Sequence, residues 1–188
     1  MKVAFTRQRL ATRVGQMGRA ISRDYAGRTL DVVVVLENSF LFAADLVREI
    51  SRPVSCHFVR SEMRDVRVDG HDYREIFFSP PPALRGRDVL VVDAVLNTGV
   101  TQDFLLKRLD EGRPRSLRLA VLFDKEASRK VNLKPEYTGF ADASKEWVGY
   151  GLSGEGGLYR NLPYVATKGS LRGSRARRGG DRKKALRG

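Results

Sequence analysis

Three short apolar runs constrain the fold more than any other feature of this sequence. They lie at residues 31–36, 88–93 and 117–123, and the first of them reads DVVVVL. A run that is apolar at almost every position is typical of a strand that is buried on both faces, as in a parallel sheet. Helical patterns follow the first two runs. We therefore predict an α/β fold with a mostly parallel, twisted sheet that is flanked by helices.

The remaining elements are predicted from periodicity and from turn signals. An apolar face formed by Leu10, Val14, Met17 and Ile21 indicates a helix over residues 8–24. Further helices are predicted over 39–50 and 100–111, and further strands over 55–60, 73–78, 137–140 and 147–150. The polar residues 62–72 predict an exposed loop.

Positive charge is concentrated at the C-terminal end of the chain. The formal net charge is +13, and residues 168–188 carry +8 of it. The basic residues of this tail are Lys168, Arg172, Arg175, Arg177, Arg178, Arg182, Lys183, Lys184 and Arg187. The tail has five glycines and only two leucines, so it cannot bury enough apolar surface to offset its chain entropy. We therefore predict one domain over residues 1–167 and a disordered tail over residues 168–188.

Cysteine content and hydropathy indicate the cellular compartment of the protein. The single cysteine, Cys56, excludes an internal disulfide framework, and we expect it to be a small core residue of its strand. No apolar run reaches the length of a transmembrane helix, and the first residues lack the apolar segment of a signal peptide. These features favour a cytoplasmic protein that has no membrane partner.

The turn after the second apolar run is the most informative segment. It reads NTGVT and lies between a buried strand and the predicted helix over 100–111. Backbone N–H groups and the helix dipole favour an anion at such a helix N-terminus, and Gly99 permits close approach. The hydroxyls of Thr98 and Thr101 add hydrogen-bond donors. On these residues alone, an ordinary turn in which Thr101 belongs to the helix cap explains the pattern as well.

The wider sequence resembles type I phosphoribosyltransferases, and within them the hypoxanthine-guanine phosphoribosyltransferases. The segments that carry the resemblance are RDYAGRTLDVVVVLENSFLFAADLVREI, the strand and turn VLVVDAVLNTGVT, and the later motifs WVGYGL and YRNLPY. They follow one another in the family's order along nearly the whole of residues 1–167, whereas the tail has no counterpart. The resemblance implies the type I phosphoribosyltransferase fold, with a small hood region beside the sheet.

The resemblance also implies roles for individual residues. In this family, the magnesium complex of phosphoribosyl pyrophosphate donates ribose 5-phosphate to a purine nitrogen. Thr98, Gly99 and Thr101 match the positions that hold the 5-phosphate, and Lys125 matches the lysine that contacts the purine oxygen. Arg160 matches an arginine that meets the pyrophosphate. The alternatives are that Lys125 and Arg160 are merely solvated charges.

The signature turn departs from the family pattern at its reacting positions. The family uses two adjacent acids to hold the ribose hydroxyls. Asp93 and Ala94 occupy these two positions here, so only one carboxylate remains. Asn97 occupies the position of the acid that serves the family as general base toward the purine. An amide cannot accept a proton near neutral pH. Loss of a positioned base typically costs a factor of about 10²–10⁴ in rate.

Other site positions depart as well. A basic residue and a glycine usually follow the leucine of the pyrophosphate loop, but Glu37 and Asn38 follow Leu36 here, and an acid would repel pyrophosphate. The expected Ser-Tyr pair is missing from residues 62–72. The further departures are Glu146 at the purine-stacking position, with Trp147 next to it as a substitute, and Ser153 at a magnesium-binding position, with Glu155 nearby.

Three functions are compatible with this sequence. The first is a catalytically inactive or strongly impaired family member that keeps a phosphate or purine-nucleotide site. The second is an active purine salvage enzyme, which would require Mg²⁺. The third is an RNA- or DNA-binding protein with a vestigial pocket, in which the basic tail contacts nucleic acid; the alternative for the tail is a solubilising extension. Asn97, Ala94 and Glu37 favour the first function, and the resemblance implies a homo-oligomer.

Overall fold

The computed structural model describes residues 1–68, 71–78, 82–141 and 146–167. A six-stranded sheet forms its centre, and its strand order is β4-β3-β2-β5-β6-β7. These strands are β2 (Leu30–Leu36), β3 (Val54–Val68), β4 (His71–Phe78), β5 (Asp88–Leu96), β6 (Ser116–Asp124) and β7 (Tyr137–Ala141). All neighbours in this sheet pair in parallel except β3 and β4, which are antiparallel. The predicted fold class is therefore confirmed.

Helices cover both faces of the sheet. They are α1 (Arg7–Asp24), α2 (Phe40–Arg48) and α3 (Val100–Asp110). Val32 and Val34 of β2 pack in the core on the α1 and α2 side, whereas Val33 and Val35 pack in the core that includes α3. This alternation explains why β2 is apolar at each of these positions.

Close packing of α1 against the end of α2 depends on a glycine. A Cβ atom at Gly18 would lie 2.6 Å from the backbone oxygen of Glu49, so no larger residue fits without a shift of the backbone.

The described part of the chain contains no helix that is long and apolar enough to cross a membrane.

A smaller antiparallel sheet stands beside the main one. It has the order β1-β9-β8 and consists of β1 (Lys2–Phe5), β8 (Trp147–Val148) and β9 (Val165–Thr167). Its aromatic residues Phe5 and Trp147 belong to the core on the α1 side of the main sheet. This small sheet occupies the place of the predicted hood region. Residues 168–188, the predicted disordered tail, lie outside the described residues.

Two predictions about the region around β3 are wrong. Residues 62–68 continue β3, and residues 71–72 begin β4, where an exposed loop was predicted. The second half of β3 pairs with β4, away from the doubly covered centre of the sheet, so backbone hydrogen bonds can hold a strand there without an apolar sequence. Cys56 is exposed and is not a core residue.

Candidate functional site

The carboxyl ends of β2, β5 and β6 meet at one edge of the sheet, which is the usual site of ligand binding in open parallel sheets. β2 pairs with β5 and β5 pairs with β6, so the residues that follow them are brought together. These are Glu37 and Asn38 after β2, Asn97 and Thr98 after β5, and Lys125 after β6. The topology alone therefore assembles most of the residues that the sequence singled out.

The turn between β5 and α3 has the geometry of an anion-binding loop. Gly99 is the N-cap residue of α3 and has a φ of 82°, a conformation that glycine adopts without strain. A Cβ atom there would lie 2.9 Å from side-chain atoms of both Arg129 and Val131. Asn97 is exposed, and Thr98 and Thr101 are partly buried. The helix N-terminus and two threonine hydroxyls thus lie in a turn that only glycine fits.

A brace that the sequence did not reveal holds this turn. Arg129 donates from Nη1 to the backbone oxygen of Asn97 at 2.9 Å, and its Nη2 group is ion-paired with Asp124. The backbone N–H of Lys130 donates to the backbone oxygen of Thr98, also at 2.9 Å. The segment after β6 therefore fixes the signature turn. Nothing in the spacing of Arg129 indicated this role, because it depends on how the chain folds back after β6.

The surviving acid of the signature, Asp93, is turned into the core. It is 8% exposed, and its Oδ2 atom accepts a hydrogen bond from Gln102 Nε2 at 2.7 Å. Its Oδ1 atom accepts from Ser39 Oγ at 3.1 Å and from the backbone N–H of Ala94 at 2.7 Å. Burial raises the pKa of Asp93, although these hydrogen bonds act against the increase. Ala94 is itself fully buried, so this pair presents no free carboxylate at the site.

Glu37 lies between two arginines. Its Oε1 atom is 3.0 Å from Arg60 Nη2, and its Oε2 atom is 3.3 Å from Arg160 Nη2. Arg160 also donates from Nη1 to Asn38 Oδ1 at 2.7 Å and to the backbone oxygen of Gly151 at 2.6 Å. The peptide bond between Leu36 and Glu37 is cis. Arg160 thus lies at the loop after β2, and its charge there is partly neutralised by Glu37.

The two predicted purine-binding residues lie together but differ in accessibility. Lys125 Nζ is 4.7 Å from the ring centroid of Trp147. Trp147 is 6% exposed, and its ring stacks on Phe123 with centroids 4.4 Å apart. Its Nε1 atom is buried without a hydrogen-bond partner among the described residues. In this conformation the indole is part of the core and offers little surface to a base.

The donor set does not fit a divalent cation held by protein side chains. In the part of the chain that the structure describes, no three His, Cys, Asp or Glu side chains gather in a possible metal site. Asp93 already accepts three hydrogen bonds, and Glu37 is paired with arginines. Glu155, the candidate substitute for Ser153, lies in an exposed turn over Glu155–Gly157.

A cavity of about 500 Å³ lies away from the signature turn. Its walls come from α1, α2 and residues 150–163, and the hydroxyl of Tyr150 donates to Asp45 Oδ2 there at 2.7 Å. Neither Asn97 nor Thr98 lines it. The volume of this cavity therefore gives no information about the signature turn.

The brace leads to a prediction about Arg129→Ala. We expect this variant to stay folded and to exchange the amide protons of residues 97–101 at least about tenfold faster, because the turn loses a charge-assisted hydrogen bond. Hydrogen–deuterium exchange read by mass spectrometry measures the change. Lys107→Ala is the matched control, since Lys107 is an exposed cation of α3 whose side chain donates to Asp103 and not to the turn. Equal protection of the turn in both variants would contradict the role of Arg129.

Comparisons with known proteins agree with the geometry. The sequence model of the phosphoribosyl transferase domain matches residues 5–153. Hypoxanthine-guanine phosphoribosyltransferase from Dictyostelium discoideum is 33% identical over 168 residues, which cover 87% of this chain and 93% of the relative. The enzyme of the same name from Lactococcus lactis is 30% identical over 164 residues, covering 87% of this chain and 88% of the relative.

The fold is also that of a solved structure of this name. A hypoxanthine-guanine phosphoribosyltransferase from Bacillus anthracis superposes with a TM-score of 0.78 and 31% identity, covering 89% of this chain and 97% of the other. The sheet topology, the signature turn at its carboxyl edge and these relatives agree. The chain belongs to the hypoxanthine-guanine phosphoribosyltransferase family of type I phosphoribosyltransferases.

Proposed function

We propose that this protein is a hypoxanthine-guanine phosphoribosyltransferase-like protein that binds a phosphate monoester, such as a purine 5'-nucleotide, and has lost most or all transferase activity. The observation that carries the proposal is the identity of residue 97. Asn97 is exposed at the turn where the family places its general base, and its amide cannot take up a proton. Its main-chain oxygen still anchors Arg129, so the shape of the turn is kept while the base is lost.

The ribose-binding acids support the same proposal. Asp93 accepts hydrogen bonds from Ser39, Gln102 and the backbone of Ala94, so reaching a ribose hydroxyl would break three buried hydrogen bonds. Each lost hydrogen bond costs about 0.5–1.5 kcal/mol. Ala94 has no polar atom in its side chain. The interactions that would orient a ribose are therefore weakened at both positions.

The charge balance around Glu37 favours a monophosphate over a pyrophosphate. Arg160 is the candidate pyrophosphate contact, and it is already paired with Glu37 and Asn38. A pyrophosphate would have to displace a carboxylate and then lie beside it, which is unfavourable for two groups of like charge. The signature turn has no acid, and its Thr98 and Thr101 hydroxyls remain. The site is thus suited to the product's phosphate rather than to the donor's pyrophosphate.

The first prediction concerns activity. With Mg²⁺, hypoxanthine or guanine, and phosphoribosyl pyrophosphate, turnover is expected to be at least about 10³-fold below that of a working enzyme, because several reacting positions are changed together. Asn97→Asp alone is expected to leave the protein inactive, since Glu37 and Ala94 remain. The measurement is a steady-state assay of both proteins. Turnover on the order of 1 per second in the unmodified protein would instead support an active, Mg²⁺-dependent purine salvage enzyme.

The second prediction concerns binding. A purine 5'-monophosphate in excess should raise the melting temperature, since a ligand at 100 times its Kd stabilises the folded state by about 2.7 kcal/mol. Gly99→Val should abolish the shift, because its side chain would collide with Arg129 and Val131. Gly27→Val is the matched control: Gly27 also has a positive φ, but a Cβ atom there has no neighbour within 4 Å. A shift that survives in Gly99→Val, or no shift with any nucleotide at about millimolar concentration, would refute the binding site.

A second candidate function, binding of RNA or DNA, is favoured by the charge of the tail. Residues 168–188 carry +8, which leaves +5 for the rest of the chain. If the tail neutralises six phosphates of a single strand, log affinity falls against log salt concentration with a slope of about −4. Truncation after Thr167 should then remove most of that slope in a salt titration with labelled RNA. Equal slopes for the full and truncated chains would leave the tail as a solubilising extension.

A further inference from the structure

A second charged region lies at the opposite end of the main sheet from the signature turn. Three turns there precede β2, β5 and β6, and they contain the exposed residues Arg28, Arg85, Arg87, Arg113 and Arg115. Two of the turns are joined by backbone hydrogen bonds, from Gly86 N–H to the Arg113 oxygen at 2.9 Å and from Arg115 N–H to the Arg87 oxygen at 2.8 Å. We call these five residues the arginine cluster.

The carboxylates that hold the cluster do not reach the surface. The side chains of Asp31 and Asp88 are 4% and 0% exposed, whereas those of Arg87 and Arg115 are 46% and 57% exposed. Hydrogen bonds from Arg115 and Ser116 lower the pKa of Asp88 despite its burial. Burial works against ionisation of Asp31, but hydrogen bonds from Arg87 and His57 outweigh it and lower its pKa. Both carboxylates are therefore charged near neutral pH, with the positive ends of their ion pairs facing solvent.

The ion pairs also orient the guanidinium groups. Arg87 donates to Asp31 from Nε at 2.7 Å and from Nη2 at 3.2 Å. Arg115 contacts Asp88 through the same two nitrogens, at 3.1 Å for Nε. Within the described residues, the Nη1 groups of both arginines have no partner, so each retains donors that point away from its carboxylate. A planar guanidinium that is fixed in this way is suited to phosphate oxygens.

The cluster surrounds a shallow cavity and carries excess positive charge. Arg28, Arg87 and Arg115 line a cavity of about 320 Å³, together with Gly27, Thr29, Gly86 and the buried carboxylate Asp88. Arg85 and Arg113 form no side-chain hydrogen bond or ion pair with another described residue. The three turns thus hold five arginines against two buried carboxylates and the exposed Glu111. Adjacent strands lie about 4.8 Å apart, so the turns before β2, β5 and β6 span roughly 10 Å, which is too wide for one small anion to contact them all.

We propose that the arginine cluster binds the phosphate backbone of single-stranded nucleic acid. The excess of cations, their fixed orientation and their spread over three neighbouring turns suit a chain of phosphates. The nine-residue strand β5 separates the cluster from the signature turn, a length of about 30 Å, so both sites can be occupied at once. The inference rests neither on the nucleotide site nor on the tail, because its residues belong to neither.

The test is a salt titration of the full-length protein with a short fluorescein-labelled oligouridylate, followed by fluorescence anisotropy. The charge-reversal variant R85E/R113E changes only arginines without ion pairs among the described residues, and the backbone bonds between the turns remain. We expect at least about tenfold weaker binding at low salt and a salt slope smaller by about 1.4, as two lost phosphate contacts predict. R85Q/R113Q should show a smaller loss in the same direction.

The matched control is R7E/K130E, which changes the net charge equally through exposed residues at the start of α1 and beside the signature turn, away from the cluster. At about 0.15 M salt its affinity should stay within about threefold of that of the unmodified protein, since exposed charges beyond a Debye length of about 8 Å are screened there. Thermal melts of all variants confirm folding. The proposal is overturned if control and cluster variants lose affinity equally, if R85E/R113E binds as well as the unmodified protein, or if no RNA binds at low salt. Cluster-dependent binding to anionic vesicles without RNA binding would also overturn it.

Discussion

Burial of the central strands on both faces is the constraint on which the rest of this structure depends. β2 and β5 have helices above and below them, so a charged side chain in their middle would be desolvated without a partner. Apart from Asp93, whose carboxyl group accepts three hydrogen bonds within the core, the charged side chains of these strands lie at the strand ends. At the amino ends, Asp31 and Asp88 are paired with arginines, and at the carboxyl ends the chain places Glu37 and Asn97. Most of the charged groups that belong to or follow these strands are therefore gathered at two opposite ends of the sheet.

The sequence predicted the parts of the fold that depend on local pattern. Apolar runs identified β2, β5 and β6, the 3.6-residue period identified α1, and the NTGVT turn identified the start of α3. The polar half of β3 could not be predicted in this way. It is held by backbone pairing with β4, and such pairing does not require the alternation of apolar and polar residues by which a strand is recognised in a sequence. The short strands β1 and β9 were missed for a related reason, since each is defined by a partner at the other end of the chain.

The candidate site could likewise be predicted only where it depends on local sequence. The turn residues follow from their order along the chain, so Thr98, Gly99 and Thr101 could be identified directly. Partnerships between distant residues could not, and they include the Arg129 brace and the pairing of Glu37 with Arg60 and Arg160. In the sequence, Glu37 appears as a charge that would repel an anion. In the structure, its charge is offset by Arg60 and Arg160. The burial of Trp147 likewise depends on Phe123 and the small sheet, and no one-residue shift of register would have revealed it.

The hydrogen bonds of Asp93 have a consequence for the evolution of this chain. Ser39 adjoins α2 on one face of the sheet and Gln102 belongs to α3 on the other, so one carboxylate joins both layers. Replacing Asp93 would break both hydrogen bonds in the core, at about 0.5–1.5 kcal/mol each. Selection for stability alone would thus retain an acid at this position, whether or not the protein catalyses any reaction. The same bonds oppose a return to a longer acid that reaches a ribose, because the hydrogen bonds from Ser39 and Gln102 would have to be given up. Asp93, which looks like a remnant of catalysis, can therefore persist as a structural residue. The hydrogen bonds that retain it also slow the return of a longer, ribose-binding acid at this position.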